Sequence, residues 1–134
     1  MADLDSTDTA HLRFAPARMR HIHLIAARLL VGAVMAQIAL GIIALRVHAW
    51  TGLVVGLLSL VVAVSAVRGR FSRSTVGLSI ATVALVGLQG VLIALSDTLS
   101  FLGILHLIDG LVIFGIAIVV AIESEDEGKE KDLG

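Results

Sequence analysis

Two histidines of this 134-residue chain occupy equivalent places in a repeated pattern, and their side chains could ligate the metal of a cofactor. His48 opens the segment HAWTGLVV and His106 opens HLIDGLVI, so both segments read His-x-x-x-Gly-Leu-Val before a β-branched residue. Imidazole is a common metal ligand, and two imidazoles can hold a haem iron from both sides. Gly52 and Gly110 follow the histidines by about one helical turn, and we expect them to leave room for a flat ring beside each ligand.

The composition indicates that membrane-spanning helices position these histidines. Hydrophobic residues make up 57% of the chain and charged residues 16%, whereas soluble domains contain about 45–50% and about 25%. The mean hydropathy is +1.00. The chain contains no cysteine, which excludes disulfides, thiolate metal sites, iron–sulfur clusters and covalently attached haem. We therefore expect an all-α integral membrane protein.

Long uncharged stretches predict four transmembrane helices, because a bilayer core about 30 Å thick requires about 20 apolar residues. The predicted helices are 22–45, 48–67, 75–96 and 99–122. Short connections predict an antiparallel bundle, and the repeat divides it into two helical hairpins related by a pseudo-two-fold axis. This membrane domain, residues 21–122, lies between a polar leader, residues 1–20, and an acidic tail, residues 123–134.

The arginines predict the orientation of the bundle. They are concentrated in residues 13–28 and in the loop 68–74, whereas the other two loops contain only Arg46. By the positive-inside rule, we expect both termini on the cytoplasmic side of a prokaryotic inner membrane. At a rise of 1.5 Å per residue, His48 and His106 then lie roughly 30 and 26 Å from the cytoplasmic boundary, near the outer surface.

We expect two further parts of the chain to lie outside the bilayer core. The acidic tail has no apolar periodicity, so we expect it to be disordered. His21 and His23 lie beside arginines at the inner end of the first helix, and we expect both to be polar residues at the lipid headgroups. No nucleic-acid-binding motif is present, so we expect no nucleic-acid partner. The expected partner of the apolar helices is membrane lipid.

Other residues near the histidine pair have alternative interpretations. At the outer surface, Arg46 could pair with a haem propionate, and Trp50 could donate a hydrogen bond or anchor the helix. Asp109, one turn after His106, could handle protons, orient an imidazole, or be a protonated acid bonded to a neighbour. The histidines and glycines themselves also fit ordinary helix packing, with His106 hydrogen-bonded to Gln37 or Gln89.

The chain resembles one four-helix half of a haem A synthase, because its predicted second and fourth helices each have a histidine near the outer face. That family has two fused bundles, each with such a histidine pair, one binding haem b and the other the substrate haem O. The resemblance implies that His48 and His106 are axial haem ligands. It also implies a homodimer that rebuilds the double bundle and oxidises the methyl group of haem O to form haem A.

The chain departs from the family at its catalytic residues. The substrate-binding half of the family has a glutamate shortly before the first histidine and an arginine directly after it, whereas Val47 and Ala49 flank His48 here. The resemblance therefore supports haem binding more strongly than catalysis, and no catalytic residue is assigned. The alternatives are a b-type cytochrome or electron-transfer subunit of a respiratory membrane complex, and an accessory subunit without a cofactor.

Overall fold

Four long helices form the protein in a computed structural model that describes residues 5–43, 45–96, 99 and 101–132. The helices are α1 (Asp5–Ile43), α2 (Leu45–Arg68), α3 (Arg73–Ser96) and α4 (Leu102–Asp132). Each one contains a segment that is long and apolar enough to cross a membrane. The predicted all-α, four-helix membrane architecture is confirmed.

The helices pack as two antiparallel hairpins around a narrow apolar core. The first helix contacts α2 and α4, and α3 contacts the same two helices. Along the described residues, the diagonal pairs α1–α3 and α2–α4 bring no Cα atoms within 8 Å of each other. The buried core consists of small and branched side chains: Ala26, Ala27, Leu30, Val34, Val55, Val62, Ile113, Ala117 and Val120. Small residues allow close helix approach, the main source of stability for helices in lipid.

The bundle has two chemically different ends. At one end, which we call the acidic end, residues 17–28 of α1 and 120–129 of α4 meet the turn between α2 and α3. At the other, the histidine-pair end, the start of α2 lies beside the end of α1 and the first turns of α4. The two ends are separated by the apolar core.

Both terminal helices extend beyond the segments that hydropathy predicts. The first helix begins at Asp5, so residues 5–20 continue it instead of forming a separate leader. The last helix continues to Asp132, so the expectation of a disordered acidic tail was wrong. The physical reason is that its first acidic side chains find hydrogen-bond donors within the bundle.

Those donors belong mainly to the start of α3. Glu127 accepts hydrogen bonds from the Ser72 backbone N–H at 2.9 Å and from the Thr75 hydroxyl at 2.6 Å. Glu123 accepts one from the Ser74 hydroxyl at 3.2 Å. Carboxylates placed here are stabilised by the unpaired N–H groups and the positive dipole of a helix N-terminus. The acidic segment is therefore a structural part of the bundle.

The turn between α2 and α3 lies at the acidic end of the bundle and contains the aromatic residue Phe71. Phe71 N–H donates to the Ala66 carbonyl at 3.2 Å and Arg70 N–H to the Val67 carbonyl at 3.3 Å, the two bonds of a Schellman motif. Arg70 has the left-handed conformation of that motif, with φ of 57°. A Cβ atom at Gly69 would lie 2.8 Å from the Ser65 carbonyl oxygen and 2.9 Å from the Phe71 ring. Only glycine fits there without displacing backbone or ring.

We predict that Gly69→Ala destabilises the bundle by about 2 kcal/mol, because the added methyl group overpacks the turn. Gly77→Ala is the matched control, since Gly77 lies in exposed α3 surface where a Cβ atom would meet nothing within 4 Å. Alanine has the better helix propensity, so this variant should be as stable as the wild type or slightly more stable. Thermal unfolding in detergent micelles measures both, and equal unfolding temperatures for the two variants would contradict the prediction.

Candidate functional site

The structure brings His48 and His106 together across the bundle. Their ring centroids are 5.9 Å apart, and the ring planes are inclined at 72°. His48 lies in the first turn of α2 and His106 in the second turn of α4, so the contact joins diagonally opposed helices. Both residues are half-buried. The expectation from the repeat, that the two histidines face each other at one end of the bundle, agrees with this placement.

Hydrogen bonds fix which nitrogen of His48 carries the proton. Its Nδ1 lies 2.9 Å from the backbone carbonyl oxygen of Gln37. A carbonyl only accepts, so Nδ1 is the protonated nitrogen and Nε2 has the lone pair. The Gln37 side-chain amide, 3.3 Å away, donates to that lone pair, and its oxygen accepts a hydrogen bond from Thr51. An imidazole whose Nδ1–H binds a carbonyl in this way is prepared to ligate a metal through Nε2.

The surroundings of His106 differ, because polar atoms there lack partners. Among the described side chains, the two buried polar atoms without a hydrogen bond are His106 Nδ1 and Asp109 Oδ2. Asp109 is 8% exposed and lies one turn after His106. Gln89 donates to the backbone carbonyl of His106 at 3.0 Å, and its amide is within hydrogen-bonding reach of Asp109. Buried polar atoms nearly always have a hydrogen-bond partner, so two unpaired atoms at one place require an explanation, such as a ligand.

Two glutamines occupy equivalent positions in the two hairpins. A Cβ atom at Gly52 would lie 3.0 Å from Gln37 Nε2, and one at Gly110 would lie 3.2 Å from Gln89 Nε2. Each glutamine of a hairpin's first helix therefore packs onto the glycine of its second helix. The space that we expected beside a flat ring is taken by these amides. Gly41 has a further role, since a Cβ atom there would lie 3.1 Å from the His48 ring.

The other predicted site residues lie on the outside of this end. Arg46 and Trp50 are exposed in the first turns of α2, and Trp50 is 73% exposed. An exposed tryptophan near the end of a membrane-spanning helix is typical of an interfacial anchor, because its ring is apolar and its N–H is polar. The structure therefore places these two side chains at the surface of the bundle, beyond the histidine pair.

Sequence reasoning missed a fully buried histidine at the acidic end. His21 is exposed as expected, but His23 is completely buried, so the expectation of a headgroup position for it was wrong. Its ring nitrogens contact the Val62 carbonyl and the hydroxyls of Ser65 and Ser124. A signal for this position exists in the sequence: His23 begins a buried stripe at helical spacing that continues through Ala27, Leu30 and Val34.

The spacing of the two imidazoles at the histidine-pair end is compatible with one metal held between them. In the part of the chain that the structure describes, no group of three or more His, Asp or Glu side chains could hold a metal ion. Two imidazoles that bind one metal from opposite sides at about 2 Å place their ring centroids roughly 6 Å apart. The observed 5.9 Å fits that requirement, and the unpartnered atoms lie beside it.

Comparisons with protein-family models, with curated proteins and with solved structures gave no match for this chain. A proposal for its function therefore depends on the geometry of the His48–His106 site.

We predict that Gln37→Leu lowers the free energy of unfolding by about 1–2 kcal/mol, because Thr51 and His48 Nε2 each lose a partner in a half-buried site. Met35→Leu is the control, since Met35 is exposed on the same helix. Thermal unfolding in detergent micelles should separate the two variants. If Gln37→Leu unfolds at the temperature of the control, the glutamine does not support the site.

Proposed function

We propose that this chain is a haem-binding membrane protein in which His48 and His106 are the two axial ligands of a non-covalent b-type haem. The observation that carries the proposal is the meeting of the two rings, 5.9 Å apart, across diagonally opposed helices. Opposed imidazoles in the core of a four-helix bundle are a common way to hold haem. When bound, such an iron carries one electron by alternating between its ferric and ferrous states.

The two ligands would be oriented differently by the chain. The Gln37 carbonyl holds His48 by its Nδ1–H and leaves Nε2 for the metal. For His106, we infer that Asp109 has this role, because its unpartnered carboxylate oxygen lies one turn from the unpartnered Nδ1. A carboxylate is a frequent acceptor for the second nitrogen of a ligating histidine. The two atoms are not hydrogen-bonded to each other in this structure, so the assignment requires the two side chains to approach each other when a ligand binds.

Binding a flat ring at this site requires the glutamine amides to move. Gln37 Nε2 lies 3.3 Å from His48 Nε2, the nitrogen that would bind iron, and it also packs against Gly52 in the space that a Cβ atom would need. Gln89 packs against Gly110 in the same way. Both are long side chains with several rotatable bonds, so they can move away from these glycines without backbone movement.

Electron transfer is the chemistry that we propose first. The resemblance to haem A synthase also supports oxidation of the haem O methyl group by a homodimer, but the family's glutamate has no counterpart directly before His48. An electron-transfer haem needs no such acid. The proposed location is a prokaryotic inner membrane, as part of a respiratory complex, with the acidic end in the cytoplasm because the loop arginines lie there.

The test is a reduced-minus-oxidised visible spectrum of the purified protein, with haem supplied during expression. We expect the wild type to give a low-spin haem spectrum and both His48→Ala and His106→Ala to lose it. His21→Ala is the matched control, since His21 is exposed and lies at the other end of the bundle. An intact spectrum in both ligand variants would show that the ligand assignment is wrong.

The identity of the bound haem separates the remaining functions. Acid-acetone extraction followed by chromatography should give haem b alone if the protein transfers electrons. Haem O or haem A in the extract would favour the synthase-like oxidation. A colourless wild-type protein that is fully folded would favour an accessory subunit without a cofactor and would overturn the proposal.

A further inference from the structure

Gln37 covers the ring nitrogen of His48 that would bind a metal. Its side-chain amide nitrogen lies 3.3 Å from His48 Nε2. The oxygen of the same amide accepts a hydrogen bond from the Thr51 hydroxyl on α2. The amide also packs against Gly52, where a Cβ atom would come within 3.0 Å of its nitrogen. One side chain of α1 is therefore held by three residues of α2, and it occupies the lone pair of His48.

The other ring nitrogen of His48 offers no alternative to Nε2. Its Nδ1 donates a hydrogen bond to the Gln37 backbone carbonyl at 2.9 Å. The same edge of the ring packs against Gly41, because a Cβ atom there would lie 3.1 Å from Nδ1. These contacts hold the ring in one orientation, so a metal can reach His48 through Nε2. The Gln37 amide must therefore leave before His48 can bind a metal.

The Gln37 amide can leave without stranding the Thr51 hydroxyl. The oxygen of that hydroxyl also lies 3.1 Å from the Val47 carbonyl oxygen and 3.0 Å from the His48 carbonyl oxygen, both on its own helix. Its single hydrogen can therefore bond to Gln37 when the amide is in place and to its own helix when the amide has left. Gln37 is half-buried and lies one turn before the end of the spanning segment Ala17–Gly41. Its several rotatable bonds let the released amide turn toward the membrane interface.

The equivalent glutamine of the second hairpin is placed differently. Gln89 donates to the backbone carbonyl oxygen of His106 at 3.0 Å. That carbonyl oxygen is not a metal ligand in the proposed site, so this hydrogen bond does not compete with a metal. The glutamine that competes for a ligating nitrogen is therefore Gln37, although the two hairpins are related by symmetry.

We propose that the Gln37 side chain is a latch that closes His48 to a metal and that Thr51 holds this latch shut. The inference rests on the proposed function, because it concerns access to one of the two proposed haem ligands. In the closed state the amide satisfies the half-buried lone pair of His48, and in the open state it uncovers Nε2. Since the open state is the one that can bind, the latch slows the binding of haem and lowers its apparent affinity.

Labelling with diethyl pyrocarbonate tests the latch without haem, because this reagent acylates histidine at a ring nitrogen with a free lone pair. In detergent micelles, peptide mass spectrometry measures the labelling rate of His48 relative to that of exposed His21. We expect this rate to rise about fivefold in Gln37→Leu and in Thr51→Val, which each remove one hydrogen bond of the latch. Thr51→Ser keeps the hydroxyl and should react like the wild type. His23 is completely buried, so its lack of labelling shows that a variant is folded.

Stopped-flow absorbance after addition of haem to the folded apoprotein is the second measurement. Haem should bind about fivefold faster to Gln37→Leu than to the wild type, whereas Met35→Leu, a change of an exposed residue on the same helix, should have no effect. Wild-type labelling rates of His48 in both Gln37→Leu and Thr51→Val would overturn the latch, as would equal rates of haem binding to Gln37→Leu and the wild type. If no form of the protein binds haem but His48 labelling rises as expected, the haem proposal is wrong and the latch on His48 stands.

Discussion

Lipid offers no hydrogen-bond partner to a polar side chain, and this constraint arranges the interior of the bundle. Each polar group in a spanning segment must be satisfied by another part of the protein. In the middle of the bundle, hydroxyls meet this requirement locally: Ser59, Ser79 and Thr82 donate to carbonyls one turn earlier on their own helices. These residues are small enough to let helices pack closely. Among the described residues, the polar groups that bond to other helices lie at the two ends.

The two ends satisfy this constraint to different degrees. At the acidic end, both nitrogens of buried His23 have partners and the carboxylates of α4 accept bonds from α3. At the histidine-pair end, a ring nitrogen and a carboxylate oxygen remain unpaired among the described side chains. A complete network stabilises a fold, whereas buried polar atoms without partners are costly and persist where they serve a ligand or a reaction. This contrast favours the histidine-pair end over the acidic end as the position of a binding site.

The sequence predicts those features that depend on one helix at a time. Hydropathy locates the four spans, and the repeat selects His48 and His106 from five histidines. It does not predict the position of His23, because neighbouring arginines indicate an interface while the side chain itself points inward. Nor does it predict the helical acidic segment, because the partners of Glu127 lie about 50 residues earlier in the chain, at Ser72 and Thr75. Those features depend on contacts between helices.

The two pseudo-symmetric hairpins differ at the residue that follows each histidine by three positions. Thr51 and Asp109 both follow a histidine by three residues, and both lie beside the glutamine of their own hairpin. The hydroxyl at the first position is fully bonded, whereas the carboxyl at the second has an unpartnered oxygen. The second hairpin therefore has an unpaired polar oxygen one turn after its histidine, whereas the first hairpin does not, although the helices that present the two histidines are related by symmetry.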